Sequence, residues 1–380
     1  MPHMAQRVLI APDKFKGTLS ASEAAKAIAR GWRAAQPNDE LTLLPMSDGG
    51  DGFGEVMGRA MAAEKRVVET VDAADRPIEA AWWWDAKIGT AIVEAALVNG
   101  LAMLPHRKFH PFQLNTFGLG RVLHTVARAG AKHCVVGIGG SATNDGGFGL
   151  ARALGWKFFA ADDRPNCAPT NQLDEWWQLW RLARIEKPAY PLQLKITVAV
   201  DVKNPLLGPS GCTRVYGPQK GLAESDFVLA EGSLEQLARI YKRQFRRDFS
   251  KVAGAGAAGG LGFGLMAFAD AKIANGFELF AKHTKLRDKI READLVITGE
   301  GAVDQQTFMG KGVGQLATLC KRNRVRCIAL AGVANVPMKQ KLFSEVRALT
   351  EITTAEKAKK NAARYLAALA KKTGADSPAR

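Results

Sequence analysis

Short apolar segments that run into polar loops and then into helices occur at both ends of the chain, and this alternation constrains the fold more than any other feature. Near the start, RVLIAPD (7–13) and LTLLPM (41–46) are predicted strands, each followed by a loop and a helix. Near the end, ADLVITGEG (293–301) and VRCIALAGV (325–333) repeat the arrangement. Strands that alternate with helices are typical of a parallel sheet covered by helices.

The middle of the chain, from about residue 66 to 290, follows a different pattern. The segments VETVDAADRPIEAAWWWD and IGTAIVEAA are predicted antiparallel strands, KITVAVDVKNPL is another antiparallel strand, and LARALGWKFF (150–159) is a predicted helix. A chain of 380 residues is also too long for one ordinary core. We therefore expect an α/β protein with two domains. One is a doubly wound parallel-sheet domain of flavodoxin or Rossmann type, with three layers, formed by 1–66 and 290–380; the other is an inserted mixed α/β domain formed by 67–289. The active site is expected in the cleft between them, because ligand pockets favour domain junctions.

Charge and composition narrow the classes of partner. Lys and Arg number 53 against 37 Asp and Glu, and a net charge of +16 favours anionic partners. The five cysteines are scattered without CxxC spacing, which argues for a reducing compartment and against a zinc site. The N-terminus lacks the apolar core of a secretory signal, and the uncharged segment 252–269 contains six glycines, which makes it a poor membrane span. These features predict a cytoplasmic protein with no membrane partner.

The segment VVGIGGSATNDGGFG (135–149) is a predicted strand, glycine-rich loop and helix start, which is the arrangement of an anion cradle. It could hold nucleotide phosphates or a substrate carboxylate, and the residues alone do not decide between them. Three segments fit a relaxed GxGxxG/A pattern, so that pattern is not specific here. The chain has no GxxxxGK[ST] motif, which argues against a Walker-type ATPase.

Polar side chains recur where predicted strands end. The candidates for catalysis are Lys14, Lys16, Asp48, Asp201 and Asp304, and three of these, Asp48, Asp201 and Asp304, are also the candidate metal ligands. The candidates for nucleotide binding are Gly139, Gly140, Ser141, Asn144, Asp145, Gly299, Glu300 and Lys311. The segment GPQKG adds Gln219 and Lys220. Ligands of open α/β sheets bind beyond the carboxyl ends of the strands, so these side chains are expected to form one site.

Acidic residues beside lysines, without His or Cys clusters, suit Mg²⁺ and phosphate rather than zinc. This combination indicates phosphoryl transfer from ATP. In this hypothesis Lys14 and Lys16 neutralise phosphate or carboxylate charge. The three aspartates share Mg²⁺ binding and acceptance of the hydroxyl proton, with Asp201 favoured as the base. Each signal also has a structural interpretation: Asp48 and Asp51 could shape a loop and cap a helix, and GAGAAGGLG (254–262) is interpreted as close helix packing rather than ligand contact.

Six segments resemble, in order, signature segments of the bacterial glycerate kinases: APDKFKGTLSASEAAKAIARG, SDGGDG, IGGSATNDGG, NPLLGPSG with GPQKG, GAGAAGGLG, and ITGEGAVDQQTFMGKG. The resemblance implies two α/β domains, one of them formed by both chain ends. It also implies MgATP-dependent phosphorylation of D-glycerate, commonly at the 2-hydroxyl to give 2-phosphoglycerate. The implied cofactors are ATP and Mg²⁺, and the implied partners are small molecules.

The chain departs from the family pattern at several positions. Ala302 stands where the family usually has arginine, and Gly312 stands where it usually has proline. The acceptor therefore stays open between the 2- and 3-hydroxyl of glycerate and another small hydroxy acid. A nicotinamide-dependent hydroxy-acid oxidoreductase and a basic nucleic-acid-binding protein are alternatives from other classes. We favour a glycerate kinase without a nucleic-acid partner, and a homodimer is one option for its oligomeric state.

Overall fold

The computed structural model describes residues 5–47, 49–106, 108–161, 171–308, 312–335 and 341–377. Its strands are β1 Arg7–Ile10, β2 Glu40–Leu43, β3 Glu64–Val71, β4 Pro77–Asp85, β5 Thr90–Glu94, β6 His133–Gly137, β7 Lys157–Ala160, β8 Leu182–Glu186, β9 Lys195–Ala199, β10 Lys272–Ala274, β11 Leu295–Val303, β12 Arg326–Ala334 and β13 Glu345–Ala348. Its α-helices are α1 Ala21–Ala35, α2 Phe53–Ala60, α3 Ala96–Asn99, α4 Phe117–Arg128, α5 Phe148–Ala153, α6 Cys212–Lys220, α7 Phe227–Phe245, α8 Ala257–Ala269, α9 Gly276–His283, α10 Leu286–Glu292, α11 Gln305–Phe308, α12 Gly312–Arg322, α13 Ala355–Lys360 and α14 Ala362–Asp376.

The chain divides into two compact units. The terminal unit consists of Met1–Asp48 and Phe277–Arg380, and the inserted unit of Gly49–Gly276. These boundaries differ from the sequence-based ones at 66/67 and 289/290. The physical reason on the N-terminal side is α2, whose glycines pack against a tryptophan of the inserted unit: a Cβ on Gly54 or Gly58 would lie within 2.2 Å of the Trp83 ring.

The terminal unit is built on a five-stranded sheet in the order β13-β12-β11-β1-β2, and all of its pairings are parallel. From β1 the chain moves to β2 at one edge, whereas from β11 it moves to β12 in the other direction. Because parallel crossovers are right-handed, α1 and α12 lie on opposite faces of this sheet. The doubly wound α/β architecture is thereby confirmed. The order of the strands reverses between β1 and β11, which is where ligands bind in such sheets.

Helix α1 begins at a capping box and buries its apolar side. Ser20 and Glu23 form a reciprocal capping box, in which the Glu23 N–H donates to Ser20 Oγ and the Ser20 N–H donates to Glu23 Oε2. The apolar side of α1, with Ile28 and Trp32, is buried in a core that also contains Leu366 and Leu369 of α14. The C-terminal helix is therefore part of the same core as the first helix.

The inserted unit contains a six-stranded sheet in the order β10-β9-β6-β5-β4-β3. The strands β3, β4 and β5 pair antiparallel, as predicted, whereas β5, β6, β9 and β10 pair parallel. The expectation that KITVA is a further antiparallel strand is wrong, because helical crossovers return the chain to the same edge before β6 and β9 begin. Four parallel strands thus present their carboxyl ends together.

The predicted helix at 150–159 is correct only in its first half. Helix α5 ends at Ala153, Gly155 has a left-handed φ of +87°, and Lys157–Ala160 forms β7. The glycine lets the chain turn out of the helix, and the aromatic residues after it favour a strand. In the part of the chain that the structure describes, no helix has the length and apolar character required to cross a membrane.

Candidate active site

The loop after β1 holds two lysines on either side of a buried aromatic anchor. Phe15 is 2% exposed and belongs to the terminal unit's core, while Lys14 is half-buried and Lys16 is exposed. The Asp13 carboxylate accepts a hydrogen bond from the Lys14 N–H at 2.7 Å, and the Asp13 N–H donates to the Gly299 carbonyl at 2.8 Å. The lysine loop is therefore fixed directly to β11.

The carboxyl half of β11 and the turn after it supply the acidic residues of the same unit. Glu300 accepts a hydrogen bond from Thr307 Oγ1 at 2.6 Å, and the Asp304 N–H donates to the same hydroxyl at 3.3 Å. Gly299 is required for close strand packing, since a Cβ there would lie 2.1 Å from the Leu330 carbonyl oxygen. The structure thus brings the lysine loop and this acidic turn to the reversal of strand order.

Two predicted residues, Asp48 and Lys311, lie outside the described residues. The others divide between the two units: Lys14, Lys16, Gly299, Glu300 and Asp304 belong to the terminal unit, and Gly139, Gly140, Ser141, Asn144, Asp145 and Asp201 to the inserted unit. The expectation of one active site in a cleft between two domains stays a prediction.

In the inserted unit, the loop after β6 packs backbone to backbone on the loop at Gly49–Asp51. The Gly139 N–H donates to the Gly49 carbonyl at 2.9 Å, and a Cβ on Gly139 would lie 2.6 Å from the Gly50 Cα. Gly140 has a φ of +78°, and a Cβ there would lie 2.0 Å from Asp51 Oδ1. Both glycines are needed because no side chain fits between these two loops.

The carboxylate of Asp145 fills the place predicted for a bound anion at the start of α5. It accepts hydrogen bonds from the Gly147 and Gly149 N–H groups and from both the N–H and the hydroxyl of Thr116, at 2.7 to 3.1 Å. Burial raises the pKa of Asp145, while these four hydrogen bonds act in the opposite direction. The Gly147 and Gly149 N–H groups at this helix start are thus used by a side chain of the same loop. The binding of a nucleotide phosphate or a substrate carboxylate by the loop stays a prediction.

A second carboxylate, which sequence reasoning missed, caps α2 in a similar way. Glu94 is 3% exposed at the end of β5 and accepts hydrogen bonds from the Gly52 and Gly54 N–H groups at 2.8 and 2.9 Å. The signal for it was present, because an acidic residue ends the otherwise apolar strand TAIVE. This contact fixes the glycine-rich loop that precedes α2.

Lys220 and Asn144 hold the centre of the IGGSATNDGG loop from its buried side. Lys220 is 7% exposed, and its ammonium donates to the Thr143 carbonyl at 2.6 Å. Burial lowers the pKa of Lys220 to about 8, and the neighbouring Cys212 and Asp145 oppose that change. Asn144 Nδ2 donates to Thr213 Oγ1 at 3.1 Å, whereas Asn144 Oδ1 is buried without a hydrogen-bond partner among the described residues.

The predicted base, Asp201, lies just beyond β9. Its Oδ1 accepts a hydrogen bond from the Gly276 N–H at 2.9 Å. Asp201 and the predicted ligand Asp304 belong to different units. Within the described ranges, no three His, Cys, Asp or Glu side chains are grouped in a way that could hold a metal ion.

The basic face of α7 forms a separate feature. A surface cavity of about 420 Å³ is lined by Arg239, Lys242, Arg243, Arg246 and Asp248. Lys242 forms an ion pair with Asp248 at 3.0 Å, and Arg243 donates to the Ala183 carbonyl at 2.8 Å. These residues do not include any of the predicted site residues.

Comparisons with known proteins agree with this arrangement. The model of the glycerate kinase family matches residues 8–376. The glycerate kinase of Halalkalibacterium halodurans is 38% identical over 328 residues, which cover 86% of this chain and 85% of the relative. The glycerate 2-kinase of Escherichia coli K12 is 36% identical over 329 residues, with the same shares. A crystal structure from Salmonella typhimurium LT2, whose protein is provisionally named glycerate kinase 2, matches with a TM-score of 0.79 at 34% identity and covers 98% of both chains. The chain therefore belongs to the glycerate kinase family.

Proposed function

We propose that this protein transfers the γ-phosphoryl group of ATP to D-glycerate, at the 2-hydroxyl, to give 2-phosphoglycerate. The observation that carries the proposal is the pairing of a lysine loop with an acidic turn at the strand-order reversal of an all-parallel sheet. Family membership supports a kinase with ATP as donor, and the name of the Escherichia coli relative supports the 2-hydroxyl as acceptor.

In this proposal the terminal unit neutralises phosphate charge. Lys14 and Lys16 lie on a loop that Phe15 anchors in the core and that Asp13 ties to β11. A loop fixed in this way loses little conformational entropy when a polyphosphate binds, so its positive charges are held ready for the negative charge of the transferred group.

The inserted unit contributes the base. The Asp201 carboxylate accepts the proton of the 2-hydroxyl, the hydroxyl oxygen attacks the γ-phosphorus, and the bond from phosphorus to the ADP oxygen breaks. Asp201 Oδ1 already accepts the Gly276 N–H. That hydrogen bond orients the carboxylate to which we assign the proton.

The donor set fits Mg²⁺, which takes oxygen ligands and usually binds through one or two carboxylates plus substrate phosphates. Asp304, a described member of the predicted set, would be a carboxylate ligand to it, while Asp201 serves as the base. When bound, Mg²⁺ supplies neutralisation of charge on the β- and γ-phosphates.

The activity is tested by ADP release from purified protein with MgATP and D-glycerate. Product that enolase consumes directly identifies a 2-kinase, whereas product that first needs phosphoglycerate mutase identifies a 3-kinase. If no ADP is released, the proposed acceptor is wrong, and a panel of other small hydroxy acids would replace it.

The base is tested by the substitution Asp201→Asn. The asparagine oxygen can still accept the Gly276 N–H, so the fold and ATP binding should be preserved, while kcat falls about 100-fold or more because the proton acceptor is lost. Asp174→Asn is the matched control, since Asp174 is exposed in the same unit and pairs with Arg152. Near-normal kcat in Asp201→Asn would remove Asp201 from the catalytic residues.

A further inference from the structure

Asn99 is a buried carboxamide whose polar atoms the fold does not use. The residue is 1% exposed at the end of α3, and neither its Nδ2 nor its Oδ1 has a hydrogen-bond partner in the part of the chain that the structure describes. Burying a polar group without a partner costs free energy, so most buried carboxamides in folded proteins are hydrogen-bonded. Because both ends of this amide are unpartnered, the conclusion does not depend on which way the amide is oriented.

The backbone places Asn99 directly against the loop that follows β6. The Ala142 N–H donates to the Asn99 carbonyl and the Leu101 N–H donates to the Gly140 carbonyl, both at 2.8 Å. Gly100 and Ser141 form an antiparallel bridge between these two bonds. Asn99 and this loop therefore move as one piece at the carboxyl ends of β5 and β6.

The same loop carries a second unpartnered amide oxygen. Asn144 is fully buried, its Nδ2 is bonded to Thr213, and its Oδ1 has no partner among the described residues. Two buried amides with unmet hydrogen bonds thus occur on backbone segments that are joined to each other, at the edge of the sheet where ligands bind.

The helix N-termini beside this loop are unsuited to a further anion of high charge. Asp145 occupies the start of α5, and Glu94 occupies the start of α2. Uncharged amides on this loop suit a small ligand with one carboxylate and at least one hydroxyl, rather than a triphosphate. A carboxamide donates through Nδ2 to a carboxylate oxygen and accepts a hydroxyl proton through Oδ1, which matches a 2-hydroxy acid.

We infer that Asn99, together with Asn144, binds the 2-hydroxy acid substrate and determines specificity for it. This inference rests on the proposed function and assigns the IGGSATNDGG loop to the acceptor rather than to the nucleotide. The hydrogen bonds that the free protein leaves unmet are completed when the acid binds.

The test uses Asn99→Ala and Asn99→Asp in the full-length protein. Removal of hydrogen bonds to a charged ligand should raise the KM for D-glycerate about 10- to 100-fold, with the KM for ATP changed less than about twofold. Asn99→Asp should be the more severe of the two, because it places a carboxylate against the carboxylate of the acid. Asn99→Ala loses no side-chain hydrogen bond that the described residues make, so its thermal midpoint should not fall, whereas Asn99→Asp buries a carboxylate and should lower the midpoint.

Ser233→Ala is the matched control, because Ser233 is also fully buried but its hydroxyl donates to the Trp177 carbonyl at 2.7 Å. This control should lower the thermal midpoint and leave both KM values unchanged. An unchanged KM for D-glycerate in both folded Asn99 variants would overturn the inference and leave only internal water at these amides.

A calorimetric titration separates this inference from the proposed function. Wild-type protein and both variants are titrated, without ATP, with D-glycerate, D-lactate and glycolate. If the wild type releases no ADP with D-glycerate, the proposed function fails, yet weaker binding of any of these acids by the variants would still support the inference. Equal binding by the wild type and the variants, or no binding of any acid by the wild type, would overturn it.

Discussion

At the scale of single residues, the loop after β6 is stabilised by charges buried within the protein. The Lys220 ammonium donates to the Thr143 carbonyl, and Asp145 accepts four hydrogen bonds two residues farther along. A buried ammonium is costly, and burial lowers the pKa of Lys220 from 10.5 to about 8. The protonation of one lysine is thereby linked to the stability of this loop.

The pH dependence of stability follows from this lowered pKa. Below pH 8 Lys220 is charged in both the folded and the unfolded state, so it contributes no slope. Between pH 8 and 10.5 the unfolded state binds more protons than the folded state, and the free energy of unfolding rises with pH. Relative to that of Lys220→Met, the free energy of unfolding of the wild type should increase by about 1 kcal/mol between pH 8 and 9, as measured by urea titration.

Two groups near Lys220 bear on this measurement. Burial raises the pKa of Cys212 to about 11, which lowers the free energy of unfolding from about pH 9 upward. Burial also raises the pKa of Asp145, against its four hydrogen bonds. Cys212 is present in both proteins, so its contribution largely cancels in the comparison. Lys251→Met is the control, at an exposed position of the same unit, and its free energy of unfolding should change with pH in the same way as that of the wild type. If the free energy of unfolding of Lys220→Met also changes with pH as that of the wild type does, Lys220 does not titrate in this range.

The residues of the site could be predicted only in part from the sequence. Glycines and acidic residues after apolar segments indicated which loops are involved, and Gly139 and Gly140 do lie where two loops touch. The sequence could not show that Asp145 binds its own helix, because the four donors come from two separate segments of the chain. It also gave no sign that the Asn99 amide is buried, since burial depends on packing by distant residues.

At the scale of elements, the glycine-rich segment before and within α8 is a packing surface for the same loop. Ala258, Gly259 and Gly260 are left-handed, and the regular part of the helix follows them. A Cβ on Gly259 would lie 1.9 Å from the Thr143 carbonyl oxygen, and one on Gly264 would lie 2.6 Å from the Gly146 carbonyl oxygen. The interpretation of GAGAAGGLG as close packing is confirmed.

Gly259→Ala should therefore disturb stability and activity together. The added methyl group must displace backbone at Thr143, and Gly259 has a φ of +70°, so we expect a loss of about 1–3 kcal/mol and a lower kcat. Gly232→Ala is the control: Gly232 lies within α7, and nothing lies within 4 Å of a Cβ there. This control should stabilise the protein by about 0.5–1 kcal/mol in urea unfolding. A Gly259→Ala protein as stable as the wild type would show that the loop can move away without cost.

The strands at the two chain ends could be predicted because each is a short apolar run that ends at a turn. The direction in which KITVA pairs could not, because it depends on where the crossovers place the strand beside β6 and β10. Likewise, the unit boundary at residues 48 and 49 depends on which core α2 packs against, and Gly54 and Gly58 show this only once Trp83 is placed.

At the scale of the whole molecule, the terminal unit depends on residues separated by almost the entire chain. Helices α1 and α14 share one core, and a Cβ on Gly31 would lie 1.9 Å from the Ala367 carbonyl oxygen. Trp32 lies in this core, and the other seven tryptophans fall between residues 82 and 180, within the inserted unit. Trp32 fluorescence therefore reports the terminal unit specifically.

Leu366→Asp should unfold the terminal unit. Leu366 is fully buried, so a carboxylate there should cost more than about 3 kcal/mol. The Trp32 emission, obtained by subtraction of the spectrum of the matching Trp32→Phe protein, should shift to longer wavelength. Ala368→Asp places the same charge at an exposed position of α14 and should leave that emission unchanged. Equal spectra for the two variants would mean that α14 is not required for the core around Trp32.

The position of β1 between β11 and β2 has a consequence for how the protein is made. A ribosome releases β1 well before its partner β11, which begins 285 residues after β1 ends, from Ile10 to Leu295. At about 5–20 residues per second, the first strand waits roughly 15 to 60 seconds for this partner, while the whole inserted unit emerges. The lysine loop that we assign to phosphate binding is thus synthesised long before the strand to which it is fixed, and chaperones that bind nascent chains would have that interval in which to hold it.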